Sequence, residues 1–84
     1  MTKILYFSGD WCAPCRVLLP LVKDATRKYN VPLEVHDTEE DIDFAVRYNI
    51  IQLPTVIKCV DDVEVQRLVG LQAKYVVEKF VSAS

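Results

Sequence analysis

Glycine and proline are scarce in this chain of 84 residues, which contains 2 Gly and 4 Pro. The sequence holds no low-complexity segment or repeat, and its 51% hydrophobic content argues against a disordered chain. Lysine and arginine residues form no cluster large enough to bind the phosphate backbone of a nucleic acid, so nucleic acid is not an expected partner. No apolar run is long enough to span a bilayer, so we expect no membrane association.

Length and cysteine content narrow the protein class further. A chain of 84 residues suffices for one domain, and we expect a single domain over residues 1–84. The three cysteines are an odd number, which argues against a scaffold stapled by disulfides. We find no secretory segment and therefore expect a cytoplasmic protein, in which C-x-x-C is more often redox or metal chemistry than a structural bridge.

The stretch Trp11-Cys12-Ala13-Pro14-Cys15 carries the clearest chemical signal. It follows a short apolar run and opens a helical pattern, and this context favours a redox role for the two cysteines. Three positions apart at a helix start, they are close enough to form a small disulfide ring. The free N–H groups and the positive dipole end of the helix favour an anionic sulfur on Cys12, which makes Cys12 a candidate nucleophile.

The remaining pattern predicts the order β-α-β-α-β-β-α. The expected strands cover residues 4–7, 33–36, 56–60 and 63–69, and the first two are expected to be parallel because a helix connects them. The first helix should reach about Tyr29, the second should start at a Thr38 cap, and the third should cover residues 72–81. The fold class is therefore α/β, a four-stranded mixed sheet with helices on both faces.

Apolar positions predict which side of the two later helices is buried. For the second helix the expected inward residues are Ile42, Ala45, Val46 and Ile50. For the third helix they are Ala73, Val76, Val77, Phe80 and Val81.

The chain resembles the thioredoxin family over nearly its whole length. Four features shared with that family occur in the family's order and spacing: Trp11-Cys12-Ala13-Pro14-Cys15, similar to W-C-G-P-C; Pro20, a proline within the helix; Leu53-Pro54-Thr55, similar to a loop ending in cis-Pro-Thr; and Val69-Gly70 before the last helix. The chain begins directly at the strand before the motif, so the resemblance implies a minimal thioredoxin fold of glutaredoxin size.

The resemblance implies a thiol–disulfide oxidoreductase that reduces protein disulfides without a cofactor or metal. Cys12 would attack the substrate disulfide, Cys15 would resolve the mixed disulfide, and Pro54 would be a cis-proline facing them. The residues expected to contact substrate are Trp11, Ala13, Pro14, Leu53, Thr55 and Gly70. The implied partners are a flavoprotein thioredoxin reductase as electron donor and target proteins with disulfides, ribonucleotide reductase among them, and the protein is expected to be a monomer.

Three positions depart from the family pattern. Ala13 replaces a glycine and should tune the redox potential without removing the chemistry. Tyr6 stands six positions before Cys12, where thioredoxins carry a buried aspartate, and Leu33 replaces the lysine often paired with it. A general base for Cys15 would therefore be water, the phenol of Tyr6, or absent, and the sequence leaves these three open.

Two other functions fit parts of the sequence. A glutaredoxin using glutathione fits the length, but glutaredoxins favour a tyrosine within the motif, T-V-P at the proline loop and Gly-Gly-x-Asp before the last helix. The corresponding places here read Ala13-Pro14, Gln52-Leu53-Pro54 and Gly70-Leu71-Gln72. A metal or cluster carrier would use Cys12 and Cys15 across a dimer.

Two further residues of metal-ligating type lie outside the motif. Zinc would need two ligands besides the motif cysteines, and Cys59 and His36 are the candidates. Both are expected to lie too far from the pair. We therefore interpret Cys59 as a small buried hydrophobic residue and His36 as a surface or structural residue.

Overall fold

The computed structural model describes residues 1–83 as one four-stranded sheet with three helices, in the predicted order. The elements are β1 (Thr2–Ser8), α1 (Ala13–Lys28), β2 (Leu33–Asp37), α2 (Ile42–Arg47), β3 (Thr55–Val60), β4 (Val63–Val69) and α3 (Lys74–Ser82). The strands lie side by side in the order β2-β1-β3-β4. The predicted mixed sheet is confirmed, with β1 and β2 parallel and the other neighbouring pairs antiparallel.

The apolar run in β1 is explained by the position of this strand inside the sheet. Tyr6 lies opposite Val35 of β2 on one side and opposite Val56 of β3 on the other. Residues 4–7 are all buried, because each face of β1 is covered by side chains from the helices. Consecutive apolar residues are the pattern expected of a strand buried on both faces.

Helix α1 begins at the cysteine motif and ends near the predicted position. Cys12 is its N-cap and Pro14 lies in its first turn, where the missing N–H of proline costs no helical hydrogen bond. The helix continues through Pro20, which cannot donate a hydrogen bond to the Arg16 carbonyl. It stops before Asn30, whose φ of 56° takes the chain out of the helical region.

The two faces of the sheet carry separate cores. We call the face under α1 and α3 the two-helix face, and its buried residues are Ile4, Tyr6, Leu18, Val22, Ala25, Val56, Val77, Phe80 and Val81. We call the opposite face, under α2, the one-helix face. Its buried residues are Leu5, Phe7, Ile57 and Cys59, covered by the partly buried Phe44, Tyr48, Ile50 and Leu53.

The predicted start of α2 is wrong, and so are two of the four residues expected to face inward. The helix begins at Ile42 with Asp41 as N-cap, whereas residues 38–40 form a turn in which the Asp37 carboxylate accepts the Glu39 N–H at 2.8 Å. A carboxylate that satisfies turn N–H groups in this way delays the helix. Of the four residues expected to face inward, Ile42 and Val46 are exposed and Ala45 is half-buried. Ile50 packs against the core of the one-helix face, as predicted.

The last third of the chain is close to the prediction. Asp61 and Asp62 form the turn between β3 and β4 with φ of 51° and 67°, the left-handed conformation that two-residue hairpin turns require. Helix α3 starts at Lys74, two residues later than predicted, so the exposed Ala73 is its N-cap and does not face inward. Val77, Phe80 and Val81 are buried as predicted, and Val76 is half-buried.

Within residues 1–83, no helix has the length and apolar character needed to cross a membrane.

Candidate active site

Three loops converge at the edge of the sheet where β1, β2 and β4 end and β3 begins. The loop after β4 contacts the loop before β3, since the Gly70 N–H donates to the Pro54 carbonyl at 2.8 Å. The loop after β1 contacts the same segment, because a Cβ on Gly9 would lie 3.1 Å from Leu53 Cδ1. Gly9 was not among the predicted site residues, although the two glycines of the chain, Gly9 and Gly70, both lie in these loops.

Cys12 and Cys15 form a disulfide at the amino end of α1. Their sulfurs are 2.07 Å apart and their Cα atoms 5.2 Å apart. The Cys15 N–H donates to Cys12 Sγ at 3.1 Å, so the N-cap sulfur accepts one of the free N–H groups of the first turn. No acidic residue stands in that turn. The local field therefore favours negative charge on Cys12 once the disulfide is reduced.

The two cysteines differ in exposure. Cys15 is buried at 3% exposure, whereas Cys12 is half-buried. Trp11, Ala13 and Pro14 beside Cys12 are exposed, and the Trp11 side chain is 93% exposed. A disulfide with one accessible sulfur and one shielded sulfur admits an external thiol or disulfide only at the accessible one. The exposed side chains beside that sulfur are apolar.

The loop before β3 lies at the same end of the sheet as this motif, because Thr55 pairs with Phe7 at the end of β1. The Leu53–Pro54 peptide bond is cis, the conformation that the sequence predicts. Pro54 and Thr55 are buried, and the Thr55 hydroxyl donates to the Gln52 carbonyl at 2.5 Å, which closes the loop. Leu53 is half-buried, at the contact with Gly9. The loop is thus held by its own hydrogen bonds and by its neighbours.

Gly70 combines two properties that explain why glycine occupies this position. Its φ of 84° lies in the region that side chains with a Cβ rarely adopt. No atom lies within 4 Å of the place that a Cβ would take, so open space borders the backbone at this point. Its N–H holds the Pro54 carbonyl, and Gly70 therefore links the end of β4 to the proline loop.

Tyr6 lies beneath the motif in the core of the two-helix face. It is fully buried, and its hydroxyl donates to the Cys15 carbonyl at 2.7 Å. Burial raises the pKa of Tyr6 to about 12, so the phenol remains protonated near neutral pH. Leu33 packs against the same apolar core. The sequence left open whether the base is water, the phenol of Tyr6 or absent, and the protonated, buried phenol argues against Tyr6 as the base.

The structure places Cys59 and His36 on the one-helix face. Cys59 is buried opposite Lys3, at the end of the sheet away from the motif, and burial raises the pKa of its thiol. The His36 ring stacks on Phe7 and Phe44 at centroid distances of 5.5 and 4.4 Å. Both residues therefore have packing roles, in agreement with the sequence interpretation.

The comparisons with known proteins agree with this geometry. A family profile described as thioredoxin matches residues 2–83. Thioredoxin from Staphylococcus epidermidis is 28% identical over 74 residues, which covers 86% of this chain and 71% of the relative. A mutant thioredoxin from Halobacterium salinarum superposes with a TM-score of 0.91 at 26% identity, covering 98% of this chain and 73% of the other.

A second solved structure gives the same result. The reduced thioredoxin pre-protein of Schistosoma mansoni has a TM-score of 0.87 at 29% identity, covering 95% of this chain and 75% of its own. The profile match extends over almost all described residues, and the cysteine pair stands at disulfide distance at the start of α1. The chain therefore belongs to the thioredoxin family, and its Cys12–Cys15 pair is the redox centre of a thiol–disulfide oxidoreductase.

Proposed function

We propose that the protein works as a reductase of protein disulfides, with Cys12 as the attacking and Cys15 as the resolving sulfur. The difference in exposure between the two cysteines supports this order most directly, because an external disulfide can reach the half-buried Cys12 more readily than the buried Cys15. The amino end of α1 supports it as well, since its N–H groups stabilise a thiolate at the N-cap.

The reaction then has two exchange steps. In the first, the Cys12 thiolate attacks one sulfur of the substrate disulfide, and the other substrate sulfur leaves as a thiolate. In the second, Cys15 attacks Cys12 Sγ, the bond between Cys12 and the substrate breaks, and the second substrate sulfur leaves. The substrate is reduced to two thiols while the protein is oxidised to the Cys12–Cys15 disulfide.

The substrate segment is proposed to lie in the groove between the three converging loops. Its expected contacts are the apolar surface of Trp11, Ala13 and Pro14 and the backbones of Leu53 and Gly70. The open space beside Gly70 leaves room for an extended chain, and main-chain pairing at Leu53 would bind it in the manner of strand addition. Pro54 and Thr55 are buried, so we assign them to shaping the loop. The proposal also has Pro54 facing the two sulfurs.

We further propose that a flavoprotein thioredoxin reductase regenerates the dithiol in the cytoplasm, with the protein acting as a monomer. Disulfide-containing proteins are the targets, and ribonucleotide reductase is a candidate among them. The oxidised state requires a two-electron donor after every turnover, which a dithiol–disulfide flavoprotein can supply.

A trapping experiment tests the assignment of the two sulfurs. The Cys15→Ser variant keeps the attacking sulfur but cannot resolve the mixed disulfide. It should therefore accumulate a covalent complex with a disulfide-containing protein, and a thiol reductant should cleave that complex. Cys12→Ser should trap nothing. The Cys59→Ser variant is the matched control, because it removes the remaining cysteine and should reduce substrate at the wild-type rate. A complex trapped by Cys12→Ser and not by Cys15→Ser would reverse the roles.

The electron donor is tested by redox equilibration in graded glutathione buffers, followed by alkylation and mass measurement. A Cys12–Cys15 disulfide that persists until the buffer is strongly reducing supports the reductase. A pair reduced under mild conditions indicates an oxidase or isomerase, and a lasting glutathione adduct on Cys12 indicates a glutaredoxin. Turnover with NADPH and a purified thioredoxin reductase, and metal analysis of protein purified without oxygen, complete the comparison.

A further inference from the structure

The hydroxyl of Tyr6 makes a contact that the dithiol cycle leaves without a role. It belongs to a fully buried side chain of β1, and it donates at 2.7 Å to the carbonyl of Cys15, the resolving residue. That carbonyl lies in the first turn of α1, and the same turn places Cys15 Sγ against Cys12 Sγ. A buried hydrogen bond at this point fixes the height and rotation of the turn relative to the sheet.

No buried carboxylate among residues 1–83 could act as a base for Cys15. None of the aspartates and glutamates among residues 1–83 is buried. Asp10 is exposed, Asp37 binds the N–H of its own turn, and Glu78 of α3 pairs with Lys28 at the opposite end of α1. Lys58 of β3 is buried, with its ammonium group over the Phe80 ring and bonded to the Ala83 carbonyl.

We propose that Tyr6 is a positioning residue for the resolving step: it holds the Cys15 carbonyl against β1, and Cys15 reacts without a side-chain base. This inference rests on the dithiol cycle proposed above. In the resolving step the Cys15 sulfur forms its bond to Cys12 Sγ, and the bond between Cys12 and the substrate breaks. Cys15 first gives its proton to water and attacks as the thiolate. The electron pair leaves on the substrate sulfur, which then takes up a proton from water. Cys15–SH and the mixed disulfide thus become the protein disulfide and a substrate thiol.

A chromogenic aromatic disulfide separates the two steps. Reduced protein mixed with dithiobis-nitrobenzoate releases one coloured thiol when Cys12 attacks and a second when Cys15 resolves. Tyr6→Phe keeps the ring and removes the hydroxyl, so it should slow the second release roughly fivefold and leave the first within about twofold of wild type. Thr26→Val is the matched control, because it removes another buried hydroxyl that bonds to an α1 carbonyl, that of Val22, far from the cysteines.

Stopped-flow absorbance at a series of pH values tests whether Cys15 reacts without a side-chain base. This measurement uses the wild-type protein and therefore does not depend on whether the Tyr6→Phe variant folds. Without a side-chain base, the second release should rise about tenfold per pH unit from about pH 5 to pH 7, since only the thiolate attacks. A plateau within that range would show an ionised base and would overturn the base-free step. Tyr6→Phe equal to wild type, or equally slow in both releases, would overturn the positioning role.

The same experiment distinguishes failure of the proposed function. Wild-type protein that releases only one coloured thiol has no resolving step, and the dithiol cycle then fails regardless of Tyr6. Two releases in wild type with no selective effect of Tyr6→Phe leave the cycle intact and reject Tyr6 alone. Thermal unfolding of both variants, recorded first, shows that the compared proteins are folded and similarly destabilised.

Discussion

The two faces of the sheet are covered in different ways. Long α1 and α3 close the two-helix face with apolar side chains, whereas the six-residue α2 covers only part of the one-helix face. The rest of that face carries charged and polar side chains in pairs: Lys3 with Glu34, His36 with Glu34 and Asp41, and Arg67 with Glu64. Where helical cover is short, paired polar groups complete the surface of the sheet, and the redox centre sits on the helix of the better-packed face.

The largest expected effect comes from the two-helix face. Leu18→Ala removes a side chain with 0% exposure and should lower the free energy of unfolding by about 3–4 kcal/mol, because the cavity in a packed core closes only in part. Val17→Ala on the exposed side of the same helix should change it by about 0.5 kcal/mol or less. Urea unfolding measures both, and a loss below about 1 kcal/mol for Leu18→Ala would mean that this face is not the main core.

Unfolding at alkaline pH compares the contributions of Tyr6 and Tyr48, one tyrosine from each face, to stability. Burial raises the pKa of Tyr6 from 10.0 to about 12, so its neutral form stabilises the fold fully below about pH 10, and this contribution is lost as pH rises through 12. The loss amounts to about 2–3 kcal/mol, and Tyr6→Phe should abolish it. The pKa of Tyr48 is also raised, chiefly by burial, and Tyr48→Phe should remove a smaller part.

The measurement is the free energy of unfolding between about pH 9 and pH 12 for wild type and both variants. A curve for Tyr6→Phe that falls as steeply as that of wild type would contradict the assignment of the alkaline loss to Tyr6.

Much of the two-helix face could be predicted from the sequence because its signals are local. Four consecutive apolar residues identified β1 as an interior strand, and a proline in the first turn with Asn30 at the end fixed α1 within one or two residues. The cis bond at Pro54 followed from its place in a recognisable loop. The contact of the Tyr6 hydroxyl with Cys15 could not be predicted, because it depends on the height of α1 above the sheet.

The one-helix face was harder to predict for a physical reason. In a helix of six residues, apolar positions do not repeat often enough to identify one buried side, and Ile42 and Val46 compete with Phe44 and Tyr48. Aromatic stacking decides the outcome: Phe44 stacks on His36 at 4.4 Å, and Tyr48 lies 5.9 Å from Phe7 between ring centroids. Contacts between elements distant in sequence leave no periodic signal.

His36 offers a way to test how α2 is held. Each ring nitrogen lies 3.0 Å from a carboxylate oxygen, that of Asp41 at the start of α2 or that of Glu34 of β2. His36→Ala loses the stacking and both hydrogen bonds and should cost about 1–2 kcal/mol. His36→Phe keeps the stacking and should cost less, and hydrogen exchange at the Ala45 and Tyr48 amides should report the loosened helix. Equal losses in both variants would mean that stacking contributes little.

The smallest change in the free energy of unfolding is expected at the ion pair of β4. The pH dependence of this change shows whether the pair stabilises the fold by charge or by packing. The Arg67 guanidinium donates to Glu64 at 2.6 Å and to the Tyr48 carbonyl at 2.8 Å, so it connects β4 to the end of α2. Hydrogen bonding to Arg67 holds the pKa of Glu64 below its usual value. A lowered folded pKa means that the carboxylate stabilises the fold above about pH 4.5, and that this contribution is lost as pH falls through the folded pKa.

Glu64→Gln should therefore cost about 0.5–1 kcal/mol near pH 7, and the difference from wild type should disappear at about pH 2–3. Glu39→Gln, at an exposed position of the turn before α2, is the control and should be neutral at both values. Urea unfolding at the two pH values gives the four free energies. If Glu64→Gln remains less stable in acid, the lost stability comes from packing of the side chain. If the gap closes, the charge on Glu64 stabilises the fold by holding the Arg67 guanidinium, which donates to the Tyr48 carbonyl at the end of α2.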